Sequence, residues 1–370
     1  MPQDGQPFQF RTVGDGTGVD YTGTFSQEEV QLALRNRGMP LEALRYSVTP
    51  TGLHYLLTHF DIPDVDTASW RLNVGGLVSN PLNLTLEDIK TFPVRSSAVT
   101  MECSGNGRAL WSPRRLTQPW LLEAIGTAEW TGTPLQGVLE EAGLSADAVE
   151  IVFTGLDQGV EGGQVRHYER SLTVSDAIRE EVLLAYEMNG EALPPQHGAP
   201  LRLIAPGWYG MASVKWLGAI EAIGDAYDGF HNRRAFRFLQ GPDGEGEPVT
   251  LMRRRALMVP PGIPDLLTRT RVLDAGLVPL IGKAWAGRSK VVRVEVSSDA
   301  GETWADAELG ESVSPYAWRP WSYEWLAKTG SHVLCVRATD SEGEVQPLEQ
   351  DWNYGGYANN GVQRVDVIVT

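Results

Sequence analysis

Cysteine is scarce: Cys103 and Cys335 are the only two in 370 residues. Two thiols so far apart do not build a disulfide framework, so a hydrophobic core must hold the fold. No run of about 18 apolar residues occurs, which excludes a conventional transmembrane helix. The start, Met1-Pro2-Gln3-Asp4-Gly5, has neither a basic n-region nor an apolar h-region. The expectation is therefore a soluble, cytoplasmic protein without a secretory leader. Positive charge is also short: 31 Lys and Arg face 47 Asp and Glu, a net charge of −16. That argues against nucleic acid or an anionic membrane as the main partner. An anionic ligand would need a local basic pocket within a repulsive field. Common catalytic signatures are missing too. There is no G-x-G-x-x-G after a strand, no P-loop, no H-E-x-x-H, no C-x-x-C and no G-x-S-x-G. These absences disfavour Rossmann dehydrogenases, P-loop NTPases, zinc proteases, c-type haem attachment and common serine hydrolases.

What is present is an ordinary globular composition, 42% hydrophobic and 21% charged. The length suggests two domains. Residues 1–25 are rich in Gly, Asp and Thr and read as a loose arm. Ser26 caps a helix to Leu34, with Glu29 completing a capping box. Between Trp70 and Gln240, strands and helices alternate. Trp70–Val74 reads as a strand, and Thr85 opens a helix from Leu86 to Thr91. Val94–Met101 is a β-branched run. Thr133-Pro134 starts a helix that ends near Gly143. Val149–Thr154 and Leu201–Ala205 are short buried strands, and Asn189-Gly190 is a hairpin turn. After about residue 247 the signals are almost all β, with Val291–Val296, Ser331–Ala338 and Arg364–Val369 as strands around turns such as Asp299-Ala300-Gly301. Strands at about ten-residue spacing suggest a β-sandwich. The expected division is an arm at 1–25, a first domain at 26–246 and a sandwich at 247–370, joined by the linker Gly241–Gly246.

One segment offers chemistry. Cys103 ends a β-rich run and opens Ser104-Gly105-Asn106-Gly107-Arg108. The two glycines let the backbone turn sharply and approach a ligand. A thiolate is a soft metal ligand, and Arg108 would favour it over the thiol. A lone cysteine beside a turn is more often a buried structural residue, so neighbouring sequence must decide.

Met101–Arg108 resembles the C-A-G-N-R-R loop of sulfite oxidases and plant nitrate reductases. The likeness continues in order. Leu183–Pro194 resembles that family's L-L-A-Y-E-M-N-G-x-x-L-P, and His197–Arg202 its H-G-x-P-[VL]-R. Pro206-Gly207 and Val214–Gly218 resemble its P-G and V-K-W-L-G. Ser298–Trp304 and Trp318–Trp321 are similar to its dimerisation domain, as are Trp352-Asn353 and Asn359-Asn360. The resemblance covers about residues 50–370. It implies an α+β molybdopterin domain followed by an immunoglobulin-like β-sandwich that forms a homodimer. It implies Cys103 as the molybdenum ligand and Arg108 as a substrate-pocket arginine. It also implies Tyr55, His59, Asp157, His197, Arg202 and Lys215 on the molybdopterin side, with Trp120 at the substrate pocket or in the core.

Three positions depart from the sulfite-oxidising pattern. Leu57 stands where the family has the arginine of R-N-H, Phe236 where it has a tyrosine, and Gly355 where it has the arginine of W-N-L-R. Loss of two cationic contacts would cost about 3–6 kcal/mol, on the order of 10² to 10⁴ in kcat/KM for an anion. Arg166, His167, Arg233 and Arg234 are candidates to compensate. The implied activity is oxygen-atom transfer, with sulfite going to sulfate and electrons leaving to an external carrier or oxygen. Alternatives are a sulfoxide, N-oxide or nitrate on the same scaffold, or a cofactor-binding interaction protein without turnover.

Overall fold

The computed structural model describes residues 8–9, 24–241, 244 and 246–370. Most of the expected arm, and three residues of the expected linker (Pro242, Asp243 and Glu245), lie outside the described residues. The expected helix at Ser26 forms as Gln27–Arg35. Ser26 Oγ accepts the Glu29 N–H at 3.2 Å, and the Glu29 carboxylate accepts the Ser26 N–H at 3.0 Å. Thr85 and Asp88 make the same reciprocal cap for Leu86–Lys90. These caps satisfy donors that a helix start leaves unpaired.

The first half is built on two five-stranded sheets. One runs Glu191–Ala192, Leu183–Met188, Ile125–Pro134 and Arg95–Glu102, with Arg202–Ile204 also paired to Leu183–Met188. The other runs Leu82–Leu84, Leu72–Gly76, Leu217–Ile223, Glu150–Glu161 and Gln164–Thr173. Ala98 to Glu102 are buried in succession, so the last turn of chain before Cys103 is covered on both faces. The Asn189-Gly190 turn forms with φ of 55° and 77°, the left-handed pair that a tight hairpin needs. Helices are short, the longest having nine residues, so the molecule is more β-rich than the α+β expectation. The strand expected at Val149–Thr154 is also longer. It continues past a bulge to Glu161 and returns as Gln164–Thr173. Gly155, Gly159 and the polar residues between them conceal the alternation that marks a strand.

The second half is a two-sheet sandwich. A four-stranded sheet (Arg255–Met258, Gly276–Trp285, Arg319–Ala327, Glu308–Leu309) faces a six-stranded one containing Val291–Ser297, Gly330–Asp340 and Gln363–Val369. Both contribute to one apolar core, including Leu280, Val294, Trp321, Leu334 and Val367. No helix among the described residues is long and apolar enough to cross a membrane.

A shared apolar seam joins the halves, with Met39, Ile125 and Tyr209 packed beside Leu257, Trp285 and Trp318. A buried ion pair crosses the same seam. Glu102 bonds Arg255 at 2.6 Å, and its second oxygen accepts Trp285 Nε1 at 2.9 Å. Asn106 also donates to Glu102, at 2.9 Å. Removing one partner of a buried pair strands the other charge. Glu102→Ala is expected to lower stability by about 3–5 kcal/mol. Glu102→Met with Arg255→Met should recover much of that loss in a denaturant titration. A single substitution costing under about 1 kcal/mol would show that the pair is not holding the seam.

Candidate active site

The loop after Glu102 is tied down on both sides. Cys103 N–H donates to Ala124 O and Asn106 N–H to Cys103 O, each at 2.9 Å. Asn106 Oδ1 accepts the Ala124 N–H. From the sandwich side, Ala358 N–H donates to Ser104 O at 2.7 Å and Asn359 Nδ2 to Gly107 O at 2.9 Å. Gly107 has a φ of +88°, and a Cβ there would press on Asn359 at 3.1 Å. Glycine is therefore required by both backbone and packing. Both cysteines are buried and free, as expected.

Cys103 opens onto a cavity of about 720 Å³, counted out to its open mouth. Nine of the expected site residues line it: Tyr55, Leu57, His59, Cys103, Asp157, His197, Arg202, Lys215 and Phe236. They come from segments spread along the first half, brought together by the two sheets. Burial pushes the Cys103 thiol above its ordinary value, while the Arg108 charge, a Gly105 backbone contact and the Trp120 indole pull it down.

Three expected pocket residues do not line this cavity. Arg108 is buried behind the loop, where Nε donates to Gly356 O at 3.2 Å and the guanidinium lies 4.9 Å over the Tyr357 ring. It acts on the Cys103 sulfur as a charge from behind, not as a pocket wall. Trp120 is buried and acts on the same sulfur. A Cβ on Gly355 would collide with the Tyr357 ring, so the position is small because Tyr357 fills the space. The candidate compensating groups are engaged elsewhere. Arg233 lies 4.0 Å from Asp228, Arg166 stacks on Phe230, and His167 bonds Gly155 O and Gln158. Arg234 is not among the cavity-lining residues either. Buried Arg170 instead lies 5.3 Å from the Phe236 ring.

Charge in the cavity is unbalanced. Arg202 is buried; its NH groups donate to His197 O and Ser213 O, and its guanidinium stacks on Trp130 at 4.7 Å. Its Nε has no partner. Lys215 Nζ donates to Leu57 O at 2.8 Å and Gln196 O at 3.3 Å. Neither cation forms an ion pair among the described residues. Loss of water pushes Arg202 down to about 10 and Lys215 down to about 7. Burial, with these cations nearby, pushes His197 down to about 2. Burial raises Asp157 to about 6 against the pull of Lys215. Burying a charge without an ion partner is costly, so Arg202 and Lys215 favour an anion beside them. Ser104 Oγ, another cavity-lining atom, is likewise buried without a partner. A soft thiol, unpaired cations and free polar atoms fit a metal group carrying an anionic organic ligand.

Sequence reading missed several lining residues. His54, Met101, Tyr168, Met211 and Ser213 all border the cavity. His54 is an ordinary aromatic position between Leu53 and Tyr55, Tyr168 sits in the charged run Arg166–Arg170, and neither carries a local signal. Glu102 directly precedes the candidate ligand, but its partner Arg255 is 153 residues away.

Comparisons with known proteins agree with this geometry. The oxidoreductase molybdopterin binding domain matches residues 59–231, and the Mo-co oxidoreductase dimerisation domain matches 264–370. The chain is 32% identical over 360 residues to sulfite oxidase of Arabidopsis thaliana, covering 89% of this chain and 91% of that protein. It is 33% identical over 342 residues to mitochondrial sulfite oxidase of Mus musculus, covering 87% of this chain. The chain spans 62% of the length of that mouse protein. The crystal structure of the sulfane dehydrogenase SoxCD from Paracoccus pantotrophus matches with a TM-score of 0.78 at 26% identity, covering 95% of this chain and 92% of that one.

Lys215 provides a test that needs no turnover. Its folded value of about 7 lies below the ordinary 10.5, so between these pH values the unfolded chain holds a proton that the folded chain has released. Stability of the cofactor-free protein should therefore rise with pH across that window. Lys215→Met should flatten the rise and raise Tm at pH 7, while weakening retention of an anionic cofactor. Thermal melts from pH 6 to 10 check this. An unchanged slope in the variant would show that Lys215 is not the group responsible.

Proposed function

The chain belongs to the sulfite oxidase family of molybdopterin oxidoreductases, and from that premise we propose that it transfers an oxygen atom to or from a small oxyanion or oxide. Molybdenum held by molybdopterin would supply the two-electron chemistry. The observation that carries the reading is the Cys103 thiol in a cavity that also holds the buried cations Arg202 and Lys215, neither in an ion pair among the described residues. Cys103 would ligate the metal as a thiolate, with Arg108 favouring the charged form from behind. Arg202 and Lys215 would hold the anionic part of the cofactor. Tyr55, whose phenol burial keeps protonated, offers a donor on the same wall, while the Tyr168 hydroxyl is already given to Met211 O at 2.8 Å.

The reaction we assign first is sulfite with water to sulfate, two protons and two electrons, the electrons passing to an external carrier or to oxygen. Leu57 and Phe236 make the lining more apolar than an anion pocket requires. That favours, as a second reading, a less charged sulfoxide or N-oxide, or nitrate, reduced on the same scaffold. In the same proposal residues 26–246 form the catalytic domain, and 247–370 form an immunoglobulin-like domain through which two copies pair. The two separate cores, one within the first half and one in the sandwich, support that division.

Elemental mass spectrometry of protein from a host that makes molybdopterin is the test. About one molybdenum per chain is expected, with Cys103→Ser losing most of it. No metal in the wild type would overturn the reading. A substrate panel with a redox dye then ranks the substrates. Phe236→Tyr should raise kcat/KM for sulfite by about tenfold, the worth of one hydrogen bond to a charged group. No gain would remove Phe236 as the limiting position.

A further inference from the structure

One buried cation beside the cavity has no part in the roles assigned above. Arg170 lies on the strand Gln164–Thr173 and follows Tyr168 at the next position on the same face of the sheet. Tyr168 lines the cavity and Arg170 does not. Arg170 packs behind Phe236, which does line it, with the guanidinium carbon 5.3 Å from the ring centroid. Only 4% of Arg170 is exposed. One NH group donates to His231 O, and Nε has no partner. No carboxylate pairs with it among the described residues. Glu169, its neighbour on the strand, accepts from Tyr227 and Thr154, and Glu150 of the adjoining strand accepts the Tyr227 N–H.

Loss of water pushes Arg170 below its usual range, yet a guanidinium keeps its charge at any physiological pH. Holding His231 O needs a donor but not a charge. A buried amide would do it without the cost of desolvating a cation. The Phe236 ring face offsets part of that cost. Phe236 is itself held in a place that a phenylalanine rarely takes, with a φ of +52°. Its N–H donates to Tyr357 Oη at 3.4 Å, and the two rings lie 5.4 Å apart. Arg108 stands 4.9 Å over the Tyr357 ring. The order along this wall is guanidinium, ring, ring, guanidinium. Leu57 and Phe236 bring no charge of their own to the cavity, so the positive field on this side comes from behind the rings.

We propose that Arg170 sets the charge preference of the substrate site, drawing a small oxyanion to the Phe236 wall through the ring and without touching it. The proposal rests on the oxygen-transfer reading above and deepens it, because it favours the oxyanion over a neutral sulfoxide or N-oxide. The guanidinium is buried and has no counter-charge, so its field crosses low-dielectric protein with little screening. An anion against Phe236 feels that field, and a neutral oxide feels almost none of it. Arg170 is thus a positioning residue for charge, and Phe236 is the shield that withholds its hydrogen bonds.

The test is calorimetric titration of the molybdenum-loaded protein, without turnover, with sulfate as the anionic probe and dimethyl sulfoxide as the neutral one. Arg170→Gln keeps a donor for His231 O and removes the charge. It should weaken sulfate by about tenfold or more and leave dimethyl sulfoxide unchanged. Arg170→Lys keeps the charge and should retain most of the sulfate affinity. A residue that only shapes the wall would change both probes alike, and would lose as much with Lys as with Gln; either pattern would overturn the proposal. Should the Arg170 variants fail to load metal, Phe236→Ala decides. It uncovers the guanidinium and should tighten sulfate by about tenfold, the worth of a hydrogen bond to a charged group. No gain there would overturn the proposal as well. Metal content is measured first on each sample. A wild type without molybdenum removes the oxygen-transfer reading and this proposal with it. A loaded wild type whose sulfate affinity ignores Arg170 removes this proposal alone.

Discussion

The buried bond between Glu102 and Arg255 is the constraint on which the site depends. Glu102 is the last residue of a strand buried on both faces, and the next residue is Cys103. Arg255 begins a strand of the sandwich, at the far side of the seam. Because Trp285 and Asn106 bond the same carboxylate, the strand end, the cysteine loop and the second half share one anchor. A buried ion pair contributes little net stability compared with apolar packing. What it gives here is position: a charge can be satisfied in one register only, whereas an apolar seam tolerates sliding. Two Arg255 nitrogens nevertheless lack partners, which shows that the site accepts an energetic cost at this point.

The cavity shows the same trade. Arg202, Lys215 and His197 are all pushed toward their neutral forms by loss of water. A core selected for stability alone would not gather them. Arg202, and Lys215 where it keeps its proton, form a positive well in a chain whose net charge is −16, while His197 stays neutral. The well is local because the low-dielectric walls confine its field. An anionic group that enters relieves the strain of several residues at once, so binding and folding are coupled through the same charges.

Much of this was legible in the sequence, though unevenly. The strands of the sandwich, the Ser26 capping box, the helix opened by Thr85 and the Asn189-Gly190 turn follow from local chemistry and form as read. Nine expected residues line one cavity because their motifs occur in order along the chain, which a local pattern alone could not establish. Trp120 takes the second of its two expected places, the core, and Gly355 is hemmed in by the Tyr357 ring; for Arg108, position in a motif did not fix side-chain direction. Arg108 turns toward Gly356 and Tyr357. Glu102 was unreadable because a carboxylate in a strand normally faces water, and nothing nearby announces Arg255. Glu161 was hidden by the glycines of an extended hairpin, so the group that binds His59 had no signal in its own segment.

The clamp on the cysteine loop has a consequence for the order of assembly. Asn359 reaches Gly107 across 252 residues, and Gly356 receives Arg108 across 248. A ribosome makes the loop long before it makes the segment that closes over it. Until residues 353–360 have emerged and docked, the loop around Cys103 lacks one of its walls. The nascent chain therefore passes through a stage in which the first half is complete in sequence but its cysteine loop is still open on the sandwich side. Docking of residues 353–360 then supplies the missing wall.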